Sequence, residues 1–288
     1  MYRFGLLILL VSGLIIRCTL ISQIEAVKRD RFEEYKLNFE KLKIQKASIQ
    51  TQIDFLENWH KELSPQISLV ENLELLNNIA ISYFLLKKID SLEKYSNKAI
   101  TIANNLLISN DEQIPWSFNT RALYHHEVRE LPEADRLFTK AFNLPSFILM
   151  SLQKKKYLVG NAINIKRELE AYQDAINIGK NHKAHFKNKS MLETYIHLEY
   201  LIGGSALQAS KFDLSATHLK NAELLCKQLA KANPTLLAEI LRIKGWLFFE
   251  MEDFHKAEIL GERSLQLLKS HYSSLPIPII ELVPNLML

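Results

Sequence analysis

A chain of 288 residues with 48% apolar content can bury the core of one large domain or two ordinary ones. Eight glycines and eight prolines are too few for a sandwich or barrel with many tight turns, which favours long helices. The 36 basic and 32 acidic side chains leave a formal charge of +4 scattered without a stripe for nucleic acid, and two cysteines, Cys18 and Cys226, support neither a disulfide framework nor a cysteine zinc site.

At the N-terminus Arg3 precedes the apolar run Phe4 to Ile16, and Ile24 and Ala26 stand at the −3 and −1 places of a cleavage site. That pattern predicts a signal peptide over residues 1–26. Counted on to Ile24, with Arg17 reaching for the headgroups, the same stretch attains the ~20 residues of a membrane anchor, so an uncleaved tether is the rival reading. Either one places the rest of the chain outside the cytoplasm or against a membrane, whereas Lys28, Arg29 and Arg31 weigh against export. Arg17 stands where a lipoprotein signal would carry a small residue before Cys18.

From Val27 to Leu63 neither proline nor glycine interrupts the chain, and Phe32, Tyr35, Phe39, Leu42, Ile49, Ile53 and Leu56 recur mostly three or four apart. This predicts one long amphipathic helix or a helical hairpin, ended by Pro65 and serving as a capping or coiled element over residues 27–64. Pro115, Pro145 and Pro234 punctuate further stretches of helical period, and nothing alternates as a strand would.

Four stretches then share one internal spacing. They begin with Leu76, Ile79, Ala80 and Tyr83, followed by Leu92, Ser96 and Ala99. Phe118, Ala122 and His125, followed by Ala134, Phe138 and Ala141, make the second, with Arg121 in the slot of Ile79. Ile202, Gly203 and Ala206 lead to Phe212, Ser215, Leu219 and Ala222, and Leu241, Gly245 and Phe248 lead to Phe254, Ala257, Gly261 and Ser264. Small residues at fixed places let two antiparallel helices cross closely, while large ones fill the space between crossings. Ala99 to Ala141 and Ala222 to Ser264 each span 42 residues, and the longer gap from Ala141 to Ala222 hides a fifth copy in Leu158, Val159 and Ala162 with Ala171, Ala175 and Ile178.

These positions resemble the tetratricopeptide repeat, most closely from Lys244 to Glu258 and from Thr120 to Phe142, in a long-helix form whose period near 40 exceeds the usual ~34 residues. The resemblance implies an all-α fold, a right-handed superhelical array of antiparallel helix pairs (an α-solenoid) over residues 65–270. Lys244 and Arg121 in apolar slots, and Ser96 and Gly261 in aromatic ones, depart from the pattern. After the array, residues 271–288 carry three prolines among apolar side chains, which predicts an extended strand packed on the last repeat or a sticky disordered tail.

The repeat also implies that each first helix lines a concave groove for a protein or peptide partner. Its register sends Asn77, Ile81 and Phe84 inward, then Asn119, Leu123 and His126, then Tyr200, Gly204 and Leu207, and finally Arg242, Trp246 and Phe249. Asparagine amides suit a peptide backbone, Arg242 a carboxylate, and Tyr200 and Trp246 flat anchoring. Asn77 and Asn78 only partly match a carboxylate clamp. The expected function is an exported or membrane-tethered binding scaffold, or the sensory half of a signalling regulator, and not an enzyme. His125, His126 and Glu127 lack the histidine of a zinc helix because position 130 is Glu130, and His182 and His185 lack an acidic partner in sequence, so no metal is expected. With Gly203 and Gly204 the only adjacent glycines, no phosphate loop or other cofactor site is expected either.

Overall fold

A computed structural model of the protein describes residues 26–27, 29–64, 66–229 and 233–272. The expected signal or anchor before residue 26 and the apolar tail beyond residue 272 lie outside the described residues. Among these there is no strand, and no helix is long and apolar enough to cross a membrane.

The chain forms two compact units that meet in sequence at Met150 and Ser151. The first holds α1 (29–44), α2 (Ile49–Leu63), α3 (Leu69–Leu85), α4 (Ile89–Asn105), α5 (Gln113–Glu127) and α6 (Leu131–Phe142). The second holds α7 (Leu152–Glu168), α8 (Tyr172–His182), α9 (Leu192–Gln208), α10 (Phe212–Lys227), α11 (Pro234–Glu250) and α12 (Phe254–Tyr272). Within each unit consecutive helices pack as hairpins, odd-numbered helix first.

One backbone device closes all six hairpins among the described residues. Lys46, Lys87, Arg129, Glu170, Ser210 and Glu252 have φ between 54° and 64°, at successive intervals of 41, 42, 41, 40 and 42 residues. At each, two crossed bonds seal the helix end: Lys87 N–H donates to the carbonyl of Phe84, and Lys88 N–H to that of Tyr83, both at 3.0 Å. Glu252 and Asp253 repeat this with Phe249 and Phe248. That is the Schellman cap, which normally takes glycine because a side chain in the left-handed region is crowded. Here the chain turns without it, and none of these six positions is glycine. The pair α7 and α8 is the fifth copy hidden between Ala141 and Ala222, and residues 27–64 form a hairpin with the same turn.

Packing follows the small-residue slots. Ala80, Ala99, Ala122, Ala134, Ala141 and Ala222 are fully buried. A Cβ on Gly203 would come within 2.7 Å of Leu219 Cγ on the partner helix α10, so glycine is what lets α9 and α10 approach. The first hairpin solves the crossing differently: Tyr35 and Phe39 on α1 stack against Phe55 on α2 at ring separations of 6.1 and 6.3 Å. Glu57 on α2 then accepts hydrogen bonds from Tyr83 and Tyr95, each at 2.7 Å, tying that hairpin to the next.

Helix starts are capped locally. Ser68 and Glu71 form a reciprocal capping box on α3, and Asn233 Oδ1 accepts from Leu236 N–H ahead of Pro234 on α11.

Candidate functional site

In the second unit the three first helices, α7, α9 and α11, form one face with a cavity at each end of α9. One, of about 340 Å³, is lined by Lys156 from α7, Glu193 and His197 from α9, and Leu236 and Glu239 from α11. The other, of about 190 Å³, is lined by Arg167 from α7, Gly204 and Leu207 from α9, and Trp246 and Glu250 from α11. Tyr200 lies along α9 between them, its ring 5.7 Å from that of His197.

The polar contacts on this face are directional. Arg167 donates through Nε to Gln208 at 3.0 Å, leaving the rest of its guanidinium toward Gly204, where a Cβ would sit 3.8 Å from it. Trp246 Nε1 donates to Glu250 at 2.9 Å, which fixes the indole plane while half the ring stays exposed. Arg242 grips Glu239 with two donors at 2.7 and 3.2 Å, and Tyr200 donates to the same carboxylate at 3.4 Å. Burial, reinforced by Glu239, pushes the Tyr200 phenol above its usual range, so Tyr200 remains a donor at neutral pH.

The structure sorts the residues that the repeat register sends into the groove. Asn77 is fully buried: its amide donates to the Gln113 carbonyl at 3.3 Å and to Ser117 at 3.0 Å on α5. Asn119 is likewise fully buried, and Leu123 nearly so. For Asn77 the physical reason is that its register position meets the first helix of the following hairpin, as Tyr200 meets Glu239, so it forms a joint between helices and presents no amide to solvent. Asn78, the other candidate clamp residue, donates to the Tyr35 hydroxyl at 3.0 Å. Ile81 and His126 are half-buried. Arg242, Trp246 and Phe249 occupy equivalent positions on the last hairpin, where nothing among the described residues follows them, and they stand exposed.

Tyr200, Gly204, Leu207 and Trp246 therefore come together on one face of the second unit. Sequence reasoning missed Lys156, Arg167, His197, Glu239 and Glu250. Arg167 stands three residues before the left-handed Glu170, as Leu207 stands three before Ser210, so locating the turns would have found it.

Of the histidine pairs, His125 meets Glu130 at 2.6 Å and His182 stacks on His185; no group of three suitable metal ligands occurs among the described residues. Among charged groups inside the second unit, Glu199 is 1% exposed and accepts from Lys183 at 2.7 Å and from the His218 ring. Burial alone would raise the Glu199 carboxyl, but the bonds from His218 and Lys183 outweigh it and hold it below the usual range. This network joins α9 to α10 and lies off the face described above.

The backbone is similar to several solved helical-repeat proteins. Over 82% of this chain and 94% of the other it superposes on BtubC (BKLC) from P. vanneervenii, with a TM-score of 0.63 and 14% identity. It has the tetratricopeptide-like fold. Aspartyl phosphate phosphatase F from Bacillus subtilis matches over 82% of this chain and 70% of its own, with a TM-score of 0.57 and 16% identity. A Rap protein complexed with Competence and Sporulation Factor matches over 83% and 75%, with a TM-score of 0.56 and 14% identity. No family model matches the sequence, and no curated protein does.

Proposed function

We propose that this chain is a binding scaffold that seats an extended peptide or a segment of a protein on the face made by α7, α9 and α11. The observation that carries this is the cavity between Arg167 and Trp246, where Gly204 adds no side chain to the α9 wall, a fixed indole offers flat area, and charges of both signs flank the opening. Aromatic and arginine side chains supply most binding energy at such sites because they bury much area with few rotatable bonds. A solved relative in fold holds a factor named for competence and sporulation, which agrees with a peptide ligand.

The same resemblance supports a second reading, the sensory part of a signalling regulator. In both readings the chemistry is capture, and no side chain of the face acts on a bond of the ligand. Export or tethering by residues 1–26 completes the proposal, supported by Arg3 and the Phe4 to Ile16 run. The deciding experiment pans a random peptide library on the full-length chain and repeats it on Arg167→Gln. Enriched peptides that lose at least about tenfold in affinity on the variant support the face. Enrichment indifferent to Arg167, or none at all, removes it. A fusion of residues 1–30 to a reporter active only outside the cytoplasm tests the targeting half.

A further inference from the structure

The cavity of about 190 Å³ on the α9 face is smaller than the ~300 Å³ at which pockets begin to take drug-sized ligands, so it has the size of one side chain. Its walls carry opposite charges from the two helices that flank α9, Arg167 on α7 and Glu250 on α11. Each keeps bonding capacity toward an occupant. Arg167 uses Nε on Gln208 at 3.0 Å, and no bond from a described residue engages its two terminal nitrogens. Glu250 accepts from Trp246 through Oε1 at 2.9 Å, and no described donor reaches its Oε2.

An occupant must answer both signs. A carboxylate would gain Arg167 and meet Glu250, whereas an ammonium would gain Glu250 and meet Arg167. An aliphatic side chain would strip water from both walls and return no hydrogen bond. A primary amide answers both at once, because its carbonyl oxygen accepts and its NH2 donates while it carries no charge. Gln208 already shows half of this pairing, its own amide oxygen taking Arg167 Nε. The steric match agrees: Trp246 offers a flat surface to the amide plane, and Leu207 and Ile243, both buried, give apolar wall to the methylenes of a side chain.

Resting on the binding face proposed above, we propose that this cavity is a subsite for a neutral primary amide of the captured peptide, carried by a glutamine or asparagine side chain or by an amidated chain end. Arg167 donates to the amide oxygen, and the amide NH2 donates to Glu250 Oε2. The opposed charges turn away acidic and basic side chains of similar shape, which is how the site tells glutamine from glutamate.

The test uses fluorescein-labelled hexapeptide pools whose third residue is fixed as Gln, Asn, Glu or Lys and whose chain end is a free carboxylate. The other five positions are mixed from uncharged residues without amides, and a fifth pool fixes Glu but ends in a carboxamide. Anisotropy titrations are run on the full-length chain, on Arg167→Gln and on Glu250→Gln. On the parent, one of the three amide-bearing pools binds at least about tenfold more tightly than the Glu and Lys pools with free ends, and the pool that leads identifies the amide's source. Each variant removes one charge and shifts the ranking in its own direction. Glu250→Gln, whose amide oxygen can still hold the indole, brings the free-ended Glu pool level with the leading amide pool, and Arg167→Gln does so for the Lys pool. A merely destabilised protein would weaken every pool and could not produce opposite shifts. A Glu or Lys pool as tight as the leading amide pool on the parent overturns the proposal, as do pools that all bind alike or a preference that both variants leave unchanged. In those three cases the scaffold reading stands, whereas capture of no pool overturns both.

Discussion

Arg121 on α5 donates from its guanidinium to the Ser96 hydroxyl on α4, 3.3 Å away, so two residues that each break the repeat's apolar pattern break it together. Arginine takes a slot that carries isoleucine one repeat earlier, and its stem and charge occupy room that an aromatic ring at position 96 would need. The guanidinium also covers the Tyr124 ring at 4.3 Å. We expect Arg121→Leu and Ser96→Phe each to destabilise the protein, the first by removing the bond and the second by overpacking, at about 1–3 kcal/mol. The double variant should lose less than the sum by more than ~0.5 kcal/mol. Urea unfolding of the four proteins measures this, and strict additivity would show that the two departures are unrelated.

Lys244 and Glu223 make the corresponding pair in the second unit, with side chains 17% and 11% exposed. Glu223 also takes a bond from Lys227, and the two lysines overcome burial to hold its carboxyl below the usual range. Lys244→Leu should cost about 1–3 kcal/mol, discounted from a fully buried pair because Lys227 remains. Adding Glu223→Leu should recover most of that loss in the same unfolding assay.

At Glu252 an exposed side chain sits in the left-handed region with φ 62°. Glycine there relieves the crowding and loses part of the gain to its freer unfolded chain, for a net stabilisation of about 0.5 kcal/mol. Calorimetry should show Glu252→Gly raising Tm by about 1–2 °C and Glu252→Val lowering it. If valine is tolerated as well as glycine, the turn does not have this geometry.

The repeat was legible because its signal is steric and local. Ala80, Ala122, Gly203 and Gly245 stand where helices must cross, and an all-α array of antiparallel pairs follows from their spacing. The hairpin turns were not, since the residue that marks a Schellman cap is ordinarily glycine and here it is Lys, Arg, Glu or Ser. Without those marks the 27–64 hairpin was hard to place, because stacked Tyr35, Phe39 and Phe55 replace its small residues. The site was half legible for another reason. Whether an asparagine lines a groove or joins two helices depends on a neighbour some forty residues away, as Ser117 is for Asn77.

His182 gives the stability a sign in acid. Burial first, then the fields of His185 and Lys155, push its ring down to about 4 from 6.5. The unfolded chain therefore binds a proton that the folded one refuses, so the contribution is complete above pH 6.5 and is lost as pH falls through 4. Glu199 and Glu223, held low, add a loss of the same sign that sets in below the ordinary glutamate range of ~4.3. Tm followed from pH 7 to 4 should fall in the parent, and His182→Gln should flatten the upper part of that window. An unchanged slope in the variant would assign the acid sensitivity elsewhere.

Trp246 is the side chain on which the binding proposal is most exposed to disproof. Its indole is held by Glu250 at one edge and borders the cavity whose far wall is Arg167. Removing such an anchor commonly costs about 2 kcal/mol or more of binding, and ~1.4 kcal/mol is already one decade. Trp246→Ala should therefore weaken a panned peptide at least tenfold by titration calorimetry. Half the ring is exposed, so this variant loses less folding stability than a core truncation would, and a melting curve separates the two effects. Lys269 on α12 is exposed, and Lys269→Glu should leave peptide affinity as it was. Peptide capture that survives Trp246→Ala in a folded protein but disappears with Lys269→Glu would move the binding site from the face of α7, α9 and α11 to α12.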